Sequence, residues 1–357
     1  HSAFRRQRQM CIRDSIYSKA VKNIVIYGAS GYVGQELLKL CANHPEVNIS
    51  GLSANSSVGQ DIDFELKDNR KTKIKFEKFE NIDLSNVDFI FNCLPNGQMH
   101  KAINNIDEDI RIIDLSIDFR LNNLSDYKSW YEFDHESNSK IVKFHYGLTE
   151  FNRDKIKISK HIANPGCYAT SVLIPLLALA ETNLIDFKNI IVDAKSGYSG
   201  AGKTKTKQSL IDEVNENIKS YGIGDHKHIA EINQELSKFS SGGNCEIFFS
   251  ANLIPVERGI LSNIYLKCSD DNIDGIYKTI KDRFSDEQFI KVLDMNQIPE
   301  TKDVINTNNL LIGIKKGYKS NMICIVSVID NLLKGAAGQA MQNFNVMNGF
   351  TENLGIK

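Results

Sequence analysis

Net charge, long apolar runs and paired cysteines are all missing from this chain, and each absence closes a class of function. The 43 basic and 44 acidic side chains leave a formal charge of −1, which offers no electrostatic footprint for nucleic acid or an anionic membrane surface. No apolar stretch approaches roughly 18 residues free of charge, so nothing in the sequence is built to span a membrane. The seven cysteines (Cys11, Cys41, Cys93, Cys167, Cys245, Cys268 and Cys324) are scattered and contain no CxxC pair. That argues against a disulfide framework and a zinc site, and it suits a reducing, cytoplasmic compartment. Histidines gather only at "DHKH", without partners at helical metal spacing, and no metal is expected.

What is present is an ordinary globular composition, 41% hydrophobic and 24% charged. A chain of 357 residues is long for one core, and two domains are expected. The opening "HSAFRRQRQMCIRDSIYSKAVK" is basic and lacks the apolar centre of a signal peptide. Residues 1–21 are expected to be foreign or disordered, a targeting peptide being the alternative.

The stretch "NIVIYGASGYVGQELLKLCANHP" reads as strand, glycine turn and helix, the first half of a dinucleotide-binding unit. Gly28, Gly31 and Gly34 let backbone approach a pyrophosphate at the helix N-terminus, with Ser30, Tyr32 and Val33 alongside. After the next strand, an NAD enzyme places an acid for the ribose 2′-hydroxyl. Here "SANSSVGQ" supplies Ser53, Asn55 and Ser56 and no acid before Asp61, which favours NADP(H). Two more runs, "VDFIFNCLPNGQ" and "RIIDLSIDFRL", turn polar at what would be the ligand-binding edge of the sheet. Pro95 is placed over the cofactor and Arg120 towards an anionic substrate.

The second half carries the chemistry. In "HIANPGCYATSVLIPLLALAE" a cysteine follows Asn164-Pro165-Gly166 where an apolar helix begins. A helix N-terminus favours a thiolate, and Cys167 is expected to be a nucleophile with a depressed pKa. "SGYSGAGK" is a glycine–serine loop with Ser199, Gly200 and Gly202, followed by Lys203. "HKHIAEINQEL" sets His226 and His228 ahead of a helix; two residues apart, they cannot share one helical face as a metal pair, and general acid/base work suits imidazole better. Arg258 lies in a Pro-Val-Glu-Arg-Gly turn. "MICIVSVIDNLLKGAAGQAMQNFNVMNG" reads as a strand, a glycine-rich turn and a last helix. A hydride cofactor beside a thiol means an acyl group held as a thioester, and the basic residues favour an acyl phosphate.

These motifs, with "YGLTEFNRDKI" and "PVERGIL", resemble the N-acetyl-γ-glutamyl-phosphate reductase family from about residue 22 onward. The resemblance implies an α/β fold: a Rossmann-type NADP-binding domain (22–163 and 331–357) and a second α+β catalytic and dimerisation domain with a mixed sheet (164–330). It implies NADPH-dependent reduction of N-acetyl-L-glutamyl 5-phosphate to the semialdehyde in arginine biosynthesis. Cys167 would be the nucleophile and His226 or His228 the acid/base. Arg120, Asn164, Lys203 and Arg258 would hold substrate, and the Ser199–Gly202 loop and Asn331 the nicotinamide. The partners implied are the acyl phosphate, inorganic phosphate and further copies of the chain, as a dimer or tetramer. The same chemistry on an acetylated aminoadipyl phosphate, aspartate-semialdehyde dehydrogenase, and a non-catalytic NADP sensor are the alternatives. The sensor would have no need for Cys167 or the histidines.

Overall fold

The computed structural model describes residues 21–201, 207–238, 245–268 and 272–356. The segment 1–20 and the residues Gly202, Lys203 and Lys205 lie outside them.

Two sheets organise the chain. The first has eight strands in the order β3-β4-β2-β1-β5-β6-β8-β7. They are β1 Lys22–Tyr27, β2 Val47–Ser53, β3 Asp61–Glu65, β4 Lys71–Glu77, β5 Phe89–Asn92, β6 Arg111–Asp114, β7 Phe144–Tyr146 and β8 His161–Ala163. All neighbours run parallel except β3, which returns antiparallel along β4. A parallel sheet is covered on both faces, so its central strands are apolar throughout. Along β1, Ile24 and Ile26 face one cluster while Val25 and Tyr27 face another. The first cluster is closed by the helices Tyr32–Asn43 and Gly338–Asn348, whose Phe344 sits against Phe89 and Phe91. Sequence that follows the second sheet thus returns to complete the first. The lysines of "KTKIKFEK" alternate outward along β4.

The second sheet has seven strands in the order β10-β11-β9-β12-β15-β14-β13. They are β9 Ile190–Gly197, β10 Lys219–Tyr221, β11 Ile247–Ile254, β12 Ile260–Lys267, β13 Ile290–Val292, β14 Leu310–Lys316 and β15 Met322–Ile329. Pairing is mixed: β9 with β11 and β13 with β14 are parallel, the rest antiparallel. Its inner face (Val192, Phe249, Ile264, Ile312, Ile325) packs on the helices Cys167–Leu177, His228–Ser237 and Ile273–Arg283. The outer face carries Phe248 and Ile191, 55% and 46% exposed, in one row with Tyr265 and Cys324.

One expectation is overturned. "KGAAG" is not a turn: Leu333–Ala337 is a π-helical turn that runs directly into the helix Gly338–Asn348. Small residues there serve close packing. A Cβ at Gly335 would lie 2.8 Å from Cys167 Cβ, and one at Gly338 would strike Asn308.

Candidate active site

The cysteine helix begins where β8 leaves the first sheet. Asn164 donates its backbone N–H to Asp114 O at 2.7 Å, fixing the exit of β8 beside that of β6. Gly166 is the N-cap, in extended conformation, and no side chain caps the helix. The first helical bond runs from Thr170 N–H to Gly166 O at 2.8 Å. Cys167 is therefore the first residue of the helix, half-buried, at the junction of the two sheets.

Three elements converge on Gly166. A Cβ there would lie 2.5 Å from His228 Nε2 and 2.8 Å from Arg120 Nη1, so imidazole and guanidinium both reach the residue before the thiol. Glu231, fully buried, completes the cluster. Its Oε1 accepts from Gly166 N–H at 2.7 Å and from Tyr146 O–H at 2.6 Å, and its Oε2 lies 3.4 Å from Arg120 Nη1. Sequence reading passed over Glu231 although it lies within "HKHIAEI". The available signal was its spacing: three residues after His228, it shares the histidine's helical face.

The two histidines separate by role. His226 Nδ1 accepts the backbone N–H of His228 at 3.1 Å, an N-terminal cap for that helix. Burial, with Lys227 beside it, lowers the His226 pKa to about 4. His228 is buried, stands edge-on to Tyr168, and has no hydrogen-bond partner at Nδ1. Burial, then the neighbouring His226 and Arg120, hold its pKa well below the usual imidazole range. Both rings are neutral.

The thiol departs from expectation. Burial pushes Cys167 up to about 11, with Glu231 adding to the rise, against the opposing pull of Arg120 and the Tyr168 backbone N–H. The helix N-terminus does bind an anion, but the anion is Glu231. Cys167 rests as a thiol beside a neutral imidazole, not as a preformed thiolate.

The other expected substrate residues that are described have protein partners, Arg120 keeping Nη1 turned to Gly166. Arg120 donates from Nε to Asn164 O and from Nη2 to Leu115 O, both at 2.8 Å. Asn164, fully buried, gives its side-chain amide to Ala336 O at 3.2 Å and accepts from Asn343 at 3.1 Å. Arg258 pairs with Asp330 at 3.0 Å and with Glu36 at 3.2 Å, which ties the turn after β11 to the helix after the glycine turn. Lys334, in the π turn, forms a fully buried pair with Glu150 at 2.6 Å.

The expected cofactor residues form a cradle. Gly28 takes φ +72°, and a side chain there would run into Cys93 O. Its N–H is held by Ser53 Oγ at 2.9 Å, so Ser53 braces the turn. Gly31 caps the next helix with no side-chain bond, which leaves the N–H groups of its first turn, Tyr32 to Gly34, for a ligand. Ser56 and Pro95 are exposed at the strand edge. Asp118 accepts from Gly97 N–H at 2.7 Å and His100 N–H at 3.0 Å, fixing the loop that carries Pro95. From the second sheet, Asn331 donates to Ser199 Oγ at 3.0 Å and accepts from Gly259 N–H at 2.7 Å. Gly200 follows Ser199, and Tyr198 packs in one cluster with Tyr32. Both halves of the cradle therefore meet at the glycine turn.

Comparison with known proteins matches residues 23–159 to a semialdehyde dehydrogenase NAD-binding domain and residues 167–331 to a semialdehyde dehydrogenase dimerisation domain. An N-acetyl-γ-glutamyl-phosphate reductase of Ehrlichia ruminantium (strain Gardel) is 45% identical over 332 residues, covering 91% of this chain and 94% of that protein. A probable chloroplastic N-acetyl-γ-glutamyl-phosphate reductase of Arabidopsis thaliana is 38% identical over 335 residues, covering 93% and 83%. Among solved structures, an aspartate semialdehyde dehydrogenase II of Vibrio cholerae complexed with ASA has a TM-score of 0.69 at 18% identity, covering 91% of this chain and 98% of that one. An aspartate semialdehyde dehydrogenase of Candida albicans with NADP has a TM-score of 0.62 at 17% identity, covering 94% and 100%. At those identities the structures speak for the fold.

Proposed function

The chain belongs to the N-acetyl-γ-glutamyl-phosphate reductase family of semialdehyde dehydrogenases, and from that membership we propose how its own residues carry the reaction. The reaction is the NADPH-dependent reductive dephosphorylation of N-acetyl-L-glutamyl 5-phosphate to N-acetyl-L-glutamate 5-semialdehyde, in arginine biosynthesis. The supporting observation is the convergence of His228 Nε2 and Arg120 Nη1 on the residue before Cys167.

His228, neutral at rest, is the general base. It takes the Cys167 proton as sulfur attacks the acyl carbon, and the C–O bond to phosphate breaks. Arg120, held cationic by Glu231 against the cost of burial, stabilises the negative charge that develops on the leaving phosphate. The products are a thioester on Cys167, an imidazolium at His228 and inorganic phosphate. The glycine turn, Ser199 and Asn331 would hold a nicotinamide cofactor, whose chemistry would be the supply of hydride to the acyl carbon. Imidazolium returns the proton as the C–S bond of the hemithioacetal breaks, releasing aldehyde and restoring the thiol. Glu231 holds Gly166, Tyr146 and Arg120 in place throughout. His226 caps the helix that carries His228 and stays outside the proton path.

NADP(H) over NAD(H) rests on the acid-free loop after β2, and a cytosolic site of action on the scattered cysteines, none of which is disulfide-bonded among the described residues. Assembly with a second copy rests on the exposed apolar row of the outer face, in the part of the chain that matches a dimerisation domain.

The test is phosphate-dependent reduction of NADP+ by N-acetyl-glutamate semialdehyde, run beside its homologue one methylene longer. Preference for the longer aldehyde would move the reading to lysine-type substrates. Cys167→Ser is expected to keep the fold and NADPH binding and lose nearly all turnover. Substantial activity in that variant would end the thioester mechanism.

A further inference from the structure

Cys167 stands at a helix start that no side chain caps. Of the three residues before it, Pro165 has no N–H to tether, and Gly166 is held by Glu231. Asn164 is the remaining anchor, and each of its polar groups is engaged. Its backbone N–H and C=O meet Asp114 O and Arg120 Nε. Its side chain donates to Ala336 O and accepts from Asn343 Nδ2 at 3.1 Å.

The two side-chain partners belong to the segment that returns from the second sheet. Ala336 lies in the π turn, next to Gly335, where a Cβ would stand 3.3 Å from Cys167 Cα. Asn343 lies on the helix that follows, fully buried and 179 residues from Asn164 in sequence. Its amide donates a second time to Gly147 O at 2.9 Å, just past β7, and its Oδ1 accepts from Thr149 Oγ1 at 2.7 Å. The Thr149 hydroxyl thereby fixes which way the amide points, since only the carbonyl oxygen of the amide accepts. Room to shift is small, because a Cβ at Gly147 would lie 2.5 Å from Asn343 Nδ2.

Asn164 also sets the guanidinium. Arg120 Nε donates to its carbonyl, so a displaced Asn164 changes how the guanidinium and the start of the cysteine helix stand to one another. Attack by sulfur with departure of phosphate needs both in place, and a misplacement on the order of 1 Å can cost about a hundredfold in rate.

We propose that Asn343 is a positioning residue for Cys167, acting from the last helix through Asn164, with Thr149 setting the orientation of its amide. The inference deepens the thioester reading and rests on it.

The same helix carries an internal control. Asn345 is equally buried and engages three partners of its own, His44 Nε2, Glu352 O and Leu354 O, none of them in the catalytic site. Steady-state kinetics, denaturant unfolding and iodoacetamide alkylation of Cys167 are compared for the full chain as wild type, Asn343→Ala and Asn345→Ala. Both variants should lose stability, since each leaves buried carbonyls unpaired. Only Asn343→Ala should lower kcat, by about tenfold or more, with the KM for aldehyde and the affinity for NADP+ little changed. Alkylation needs no aligned substrate and should stay near the wild-type rate. Wild-type kcat in Asn343→Ala would overturn the proposal, as would equal losses of kcat in the two variants or a loss of alkylation in step with kcat.

Should Asn343→Ala fail to fold, Thr149→Val carries the test, because it keeps the side-chain shape and removes the hydroxyl that orients the amide. Its kcat should fall severalfold and return in Thr149→Ser; equal kcat in those two variants would overturn the proposal. Wild-type turnover and its loss in Cys167→Ser judge the thioester reading separately, so failure of one is told apart from failure of the other.

Discussion

Glu231 Oε1 accepts a 2.7 Å hydrogen bond from the backbone N–H of Gly166, one residue ahead of Cys167. The positive end of the cysteine helix is thereby answered by a carboxylate, and the thiol keeps its proton until substrate arrives.

That relationship sets a pH profile. Alkylation of Cys167 by iodoacetamide should climb about tenfold per unit over roughly pH 7 to 10, since the thiolate is the reacting form and the thiol pKa lies at about 11. Glu231→Gln keeps an acceptor for Gly166 and Tyr146 but removes the charge that opposes the thiolate, so the profile should move down by about one unit. A wild-type rate that levels off below about pH 8 would show a preformed thiolate and contradict this account.

Arg258 gives a second prediction. Because it neutralises Asp330, fully buried, and Glu36 in the other layer, Arg258→Leu should lower stability by about 3–5 kcal/mol. Denaturant unfolding reads the loss. A normal melt with a raised KM would instead return Arg258 to the substrate.

For the cofactor, NADPH should bind more tightly than NADH by about 1–3 kcal/mol, the scale of hydrogen bonds to a charged 2′-phosphate. Asn55, exposed in the loop after β2, is the place to widen the gap with Asn55→Arg. Equal affinities in a direct titration would remove the NADP preference.

The outer face of the second sheet supplies the fourth. Phe248 and Ile191 are directly paired across β11 and β9, so Phe248→Glu combined with Ile191→Lys puts two charges in the middle of the apolar row. Light scattering should show a dimer or tetramer for the wild type and a monomer for the double variant. Unchanged mass would place the contact elsewhere.

Much of this was legible because its signals are local. The strand–glycine–helix opening works through positions that tolerate no side chain, and Gly28 at φ +72° is one of them. Cys167 announced itself by standing after Asn-Pro-Gly at a helix start. What stayed hidden depends on distant partners. "KGAAG" has the composition of a turn, yet it is helical and packs where a Cβ at Gly335 would meet Cys167, far away in sequence. Arg258 reads as an anion binder until Glu36, far away in sequence, takes it. The thiol's high pKa follows first from its burial, with Glu231 adding to the rise, and neither is written in the residues next to Cys167.

The return of the helix Gly338–Asn348 to the first sheet bears on how the chain is made. Phe344 closes a face of that sheet against Phe89 and Phe91, yet it is translated after the whole second sheet. On the ribosome the nucleotide-binding half therefore stays open along one apolar face while the residues between Ala163 and Phe344 emerge, since domains otherwise tend to fold in order of synthesis. Its maturation is coupled to the last stretch of translation, and a nascent chain stalled before Phe344 is a client for chaperones.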